Sequence, residues 1–267
     1  QGEITIPPGG NLRIQPGVTV LLSEDGSINC LGELVSEGTT ADSVFFMAEN
    51  SSSGWRGIHS IDGFVSLLYT SVTGSRGYSS SPGDEFAAIA SHGGTVSIRN
   101  SSFRNNWSCV KLTGGSVSID SSRFIDNRGE LLFIQDGIEA IITNSDFINL
   151  YNTVASSMNG IGFHLCSEGQ FVVDNCFFAD IDGDCINVMA SSVSVTNTEL
   201  TNSTDKGFSI GSPAGGSGAS TLVRISNCIV SGCPIGIDVK DGAAFEAGEM
   251  VFSDCETAVY SYEKTLG

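Results

Sequence analysis

The chain has no apolar run approaching the roughly 20 residues that cross a bilayer, no CxxC pair among its eight cysteines, and only 12 Lys and Arg against 30 Asp and Glu. The first absence excludes a helical membrane span in this segment, and the second removes the usual ligand spacing of a zinc cluster. The third gives a net charge of −18, which repels phosphate and excludes nucleic acid as a partner. Also missing are stretches of Ala, Leu, Glu and Lys at helical spacing, so little helix is expected. No basic-then-apolar segment opens the sequence at Gln1, which suggests a mature or excised segment of a longer protein.

What is present is glycine, 33 residues of it, with abundant Ser, Thr, Asn, Val and Ile, a composition of short strands and many turns. The strands repeat. "VSIRNSSF" (96–103), "VSIDSSRF" (117–124), "AIITNSDF" (140–147), "FVVDNCFF" (171–178), "VSVTNTEL" (193–200) and "VRISNCIV" (223–230) share two inward apolar positions, a polar turn residue and a further apolar residue. Each is followed by a second short strand: "CVKL", "LLFI", "GFHL", "CINV", "GFSI", "GIDV" and "AVYS". A period of about 22 residues with insertions describes a solenoid, because one coil cannot bury its apolar face without a neighbour stacked about 4.8 Å away. The expected fold is all-β, a single-stranded right-handed parallel β-helix. Residues 1–50 would form N-terminal capping and entry coils and residues 51–267 the β-helix coils, together one continuous domain.

Asn100, Ser121, Asn144, Asn175, Asn197 and Asn227 fall at the shared turn position and should form a ladder that satisfies turn backbone. Cys176 and Cys228 share a row with Thr198 between them, too far apart for a disulfide. Cys233 and Cys255 occupy neighbouring coils, as a disulfide or as stacked thiols.

From about residue 55 onward the repeats resemble the right-handed β-helices of the pectin-lyase-like superfamily. Within them, "GDCINV", "DKGFSIGS" and "GIDVK" are similar in order to motifs of the polygalacturonases, inverting glycosidases. That resemblance places Asp184 on a catalytic carboxylate and Lys240 on a substrate-binding lysine. Three departures matter: Gly183 replaces the second aspartate, Lys206 a histidine, and Asp238 an arginine. Inversion needs two carboxyl groups, which leaves Asp182 or Asp180 as the second. The succession "GDCINV", "DKGFSIG", "GIDVKDG", "AVYSYEK" looks closer to β-helix segments of large secreted or surface proteins that carry CotH-type domains. It implies an extracellular or cell-surface location and flanking domains in a longer protein.

Alternation in the second strand puts Lys111, Phe133, His164, Asn187, Ser209, Asp238 and Tyr260 on one outward row. Aromatic and polar groups mixed in this way suit a sugar-binding groove, although a solvated face has a similar composition. The expected role is a rigid scaffold or a polysaccharide-binding module. The alternative is a polysaccharide-cleaving enzyme built on Asp182, Asp184, Lys206 and Lys240. For a lyase, Lys206 or Lys240 would be the base beside carboxylate-bound calcium. "DIDGDCINV" is not an EF-hand loop, since Cys185 and Ser191 stand where Gly and Glu are needed, but Asp180, Asp182 and Asp205 on adjacent coils form a looser candidate calcium site.

Overall fold

A computed structural model of the chain describes residues 2–77, 87–151, 158–166, 169–212 and 221–263; Lys264, at the end of the "AVYSYEK" motif, lies outside them. The described strand pairings are all parallel. Among the described residues, eleven strands form one sheet, called sheet A, from Glu3–Ile6 to Thr257–Tyr262, and eighteen line the other two faces of the coil. Parallel strands joined by crossovers wind right-handed, and the molecule is a right-handed parallel β-helix. Among the described residues, no helix is long and apolar enough to cross a membrane.

The register reproduces the sequence period. Val110 pairs with Leu132 and Ile186 with Phe208, both 22 residues on, whereas Leu132 pairs with Ile161, 161 − 132 = 29 residues on. Like residues therefore stack inside. Phe103, Phe124, Phe147 and Phe178 form a column of nearly parallel rings with centroids 5.0, 4.9 and 4.7 Å apart, each fully buried. Residues 2–50 pair with the coils that follow them. Ile28 pairs in register with Ile58 and Phe46 with Val72.

The turn ladder forms with one correction. Asn100, Ser121, Asn144, Asn175, Asn197 and Asn227 all hold φ between 48 and 52°, the left-handed region that Asn tolerates better than most residues. Their side chains lie outside: Asn175 Nδ2 donates to Asn144 Oδ1 at 2.8 Å and Asn227 Nδ2 to Asn197 Oδ1 at 2.7 Å. The buried turn backbone is satisfied instead by the next position. There Ser101 N–H donates to Ser122 Oγ, Ser122 N–H to Ser145 Oγ and Cys176 N–H to Thr198 Oγ1. This confirms the Cys176, Thr198, Cys228 row.

All eight cysteines are unbridged, and seven are buried. The disulfide alternative for Cys233 and Cys255 is not realised. The Cys233 thiol is hydrogen-bonded to Cys185, a contact that lowers its pKa to about 6 against the opposing effect of burial. Cys255 Sγ–H points to the carbonyls of Val230 and Ser253.

Candidate functional site

Register decides which outward side chains of sheet A meet. Lys111 pairs with Phe133, Phe133 with Gly162, Gly162 with Asn187, Asn187 with Ser209, Ser209 with Asp238, and Asp238 with Tyr260. Gly162 therefore holds the place expected for His164, which pairs with Gln135 and Met189 two residues along. The aromatic contact survives because Gly162 has no side chain. A Cβ there would lie 3.1 Å from the Phe133 ring, and His164 packs edge-on against that ring at 4.8 Å. Burial lowers the His164 pKa below its ordinary value, and Nε2 is buried without a partner.

Ser209 and Asp238 are on the outward row but fully buried, a second correction. The cause is Lys240. Its chain runs back across Gly211, where a Cβ would sit 3.0 Å from Lys240 Cε, and its Nζ reaches Ser209 Oγ at 2.8 Å and Asp238 Oδ2 at 3.5 Å. Asp238 Oδ1 remains buried without a partner.

Beside this row runs another, formed by residues two places before the first inward position of each strand: Glu130, Asn159, Asp184 and Lys206. Asn159 pairs with Asp184 in register. Asn159 Nδ2 donates to Glu130 Oε1 at 2.8 Å, Asn187 Nδ2 donates to Asn159 Oδ1 at 3.2 Å, and Lys206 Nζ donates to Asp184 Oδ1 at 3.4 Å and to Asp205. The Asp184 side chain is only 6% exposed and that of Lys206 15%. Burial raises the Asp184 carboxyl to about 6, with Asp205 adding to the rise and Lys206 and Lys240 opposing it. Burial works against the Lys206 charge, but Asp205 and Asp184 outweigh it and hold its pKa above the usual lysine value. Burial likewise raises Glu130, opposed by Asn159 and Lys111. Lys111 Nζ stands 5.6 Å from the centre of the Phe133 ring.

Asp184, Lys206, Ser209, Asp238 and Lys240 thus converge, but as neutralised pairs. Asp180 and Asp182 do not join them. Asp180 Oδ1 accepts from Asn202 Nδ2 at 3.2 Å and Asp182 Oδ1 from Thr204 Oγ1 at 3.0 Å, both at the corner before sheet A. Among the described residues no three carboxylate, His or Cys side chains gather in a way that could hold a metal ion, and Asp180, Asp182 and Asp205 each have another partner. Lys206 is a poor base near neutral pH, since its proton is held more tightly than usual.

The backbone also explains Gly183. Its φ is +138°, and a Cβ would lie 1.9 Å from the Met158 carbonyl oxygen. No side chain fits, so the second aspartate of the polygalacturonase-like pattern cannot be restored at this position.

Glu130 and Asn159 were missed in the sequence. The signal was there: "MNGIGF" aligns with "GDCINV" once Ile161 is placed over Ile186.

Residues 132–263 match the model of the family described as the right-handed beta helix region. No curated protein matches the sequence. Among solved structures the chain is similar to the periplasmic alginate epimerase AlgG, with a TM-score of 0.50 and 11% identity over 94% of this chain and 76% of that one. It is similar to the catalytic domain of a GH87 alpha-1,3-glucanase bound to nigerose, at TM-score 0.53 and 11% identity, over 100% and 63% of the two chains. A PL6 alginate lyase bound to a trisaccharide gives TM-score 0.52 and 16% identity, over 94% and 60%. The chain spans less than two thirds of the last two proteins. At these identities the likeness is one of fold.

Proposed function

We propose that the chain is an extracellular or surface-displayed β-helix module, part of a longer protein, that binds a polysaccharide along the outer face of sheet A. The observation that carries this reading is an aromatic group at each end of a polar strip. Phe133 with His164 stands at one end, and Tyr260 with Tyr262, ring centroids 5.2 Å apart, at the other. Five coil steps separate Phe133 from Tyr260, about 24 Å at the usual strand spacing. Between them lie Asn187 and lysines already balanced by carboxylates, so the strip offers hydrogen bonds to hydroxyl groups without a large net charge. The rigid parallel ladder fixes these groups in a line suited to an extended chain. That the structural neighbours act on alginate and alpha-1,3-glucan, by their names, supports a polysaccharide as the ligand.

The test is a glycan array followed by assays for new reducing ends and for unsaturated products. Binding with neither product supports the module. Absence of binding to any glycan leaves only a scaffold role and overturns the reading.

One observation favours cleavage as a second reading: Asp184 titrates at about 6, a value suited to a proton donor near neutral pH. New reducing ends from the native chain, abolished in Asp184→Asn, would establish it.

A further inference from the structure

A cleft of about 630 Å³ opens at the turns that lead from the preceding strands into sheet A, and takes its lining from four successive coils. Its chemistry differs from that of the rest of the surface. In a chain with 30 acidic residues, no carboxylate among the described residues lines it, while Arg76 and Arg128 both do. Among the described residues no carboxylate pairs with either guanidinium. Arg76 is held in place by donating to the Ser52 carbonyl. Trp107 lines the cleft and is half-buried, so part of its indole is open to the cleft, and Asn105 and Ser51 add polar groups. Arg76 also borders a smaller cleft of about 220 Å³ that carries Glu24 and Asp25, but there Asp25 is engaged by Arg56.

Two guanidinium groups, an indole face and neutral hydrogen-bonding groups form a receptor for a ligand that is both anionic and hydroxyl-rich. Guanidinium binds carboxylate through paired hydrogen bonds, and indole packs against an apolar ring face. We propose that the Arg76, Trp107, Arg128 cleft binds an acidic saccharide through the carboxylate of a uronic acid residue. The cleft shares no lining residue with the strip on sheet A, and the proposal does not depend on the strip.

Trp107 provides its own reporter, since the only other tryptophan, Trp55, is fully buried. The experiment titrates the native chain with a uronic acid tetrasaccharide, a neutral tetrasaccharide and a sulfated neutral one, reading tryptophan fluorescence and heat. The expected result is a saturable response to the uronic acid oligomer alone. Arg128→Ala should weaken it tenfold or more, from loss of a charge-assisted contact worth about 1.5–3 kcal/mol. Arg128 is exposed, so the variant should keep the native melting temperature. Arg224→Ala, which removes an exposed arginine that lines neither the cleft nor the strip, should leave the response unchanged. No saturable response, an equal response to the neutral oligomer, a response to the sulfated oligomer alone, or an affinity untouched by Arg128→Ala would each overturn the proposal. None of these outcomes bears on the strip, which is tested through Phe133 and Tyr260.

Discussion

Lys206 Nζ lies 3.4 Å from Asp184 Oδ1, across the boundary between two coils and 22 residues apart in sequence, with both side chains largely withdrawn from water. One partner removed leaves the other as a buried, uncompensated charge. Lys206→Met should therefore destabilise the protein by about 2–4 kcal/mol at pH 8. The loss should shrink below pH 5, where Asp184 is protonated and neutral. Adding Asp184→Asn should recover part of the loss. Denaturant melts of the single and double variants at both pH values check this, and additive effects would contradict the coupling.

Asp184 also sets a pH dependence. Its folded pKa, about 6, lies above the unfolded value of 3.8, so between these values the native state holds the extra proton. The contribution is fully present below about pH 4 and is lost as pH rises through 6, on the order of 2–3 kcal/mol for a shift of about two units. Other carboxylates act in the opposite sense: the Asn144 hydrogen bond holds Asp120 below its usual pKa, and its contribution is lost as pH falls through that lowered value. The clean comparison is the native chain against Asp184→Asn, whose stability difference should change steadily from pH 4 to 7 and then level off.

Gly183→Asp should unfold the coil rather than complete a catalytic pair. The new Cβ meets the Met158 carbonyl at 1.9 Å in a backbone conformation that L side chains rarely adopt. A loss of stability above about 3 kcal/mol, matched by Gly183→Ala, is expected from such strain. A stable Gly183→Asp variant that cleaves polygalacturonate would show that the strand can adopt the glycosidase form.

The phenylalanine column should behave as a single stack. Phe124 has a ring above and below it, and Phe124→Ala should cost about 3–5 kcal/mol, with Phe124→Leu costing less. Thermal melts of both variants measure the difference.

The thiols give a count. Eight reactive groups should appear on unfolding without reductant, and in the native state Cys255, the one cysteine that is not fully buried, should react first. Six groups instead of eight would reveal a disulfide.

Much of the fold was legible in the sequence because each coil solves the same burial problem with the same residues: Phe103, Phe124, Phe147 and Phe178 recur in sequence because they touch in space. The site was less legible, for two physical reasons. In "GIGFHL" the alternation of Ile161, Phe163 and Leu165 fits two registers two residues apart. Only the pairing of Ile161 with Ile186, with Leu165 turned outward at φ 57°, selects Gly162 for the row and brings Asn159 beside Asp184. The burial of Ser209 and Asp238 comes from Lys240 reaching back to another coil, and period alone does not report where a long side chain lies. The Arg76, Trp107, Arg128 cleft has no repeat signal at all, being assembled from turns of unequal length.

The most direct test of a glycan-binding strip on sheet A is a calorimetric titration with the polysaccharide that an array selects, comparing the native chain with Phe133→Ala and Tyr260→Ala. Tyr260 is 48% exposed, so its loss should not disturb the fold. Saturable binding, weakened about tenfold or more by each substitution as expected for loss of an aromatic contact at either end of the strip, is the predicted result. Affinities unchanged in both variants would contradict the account.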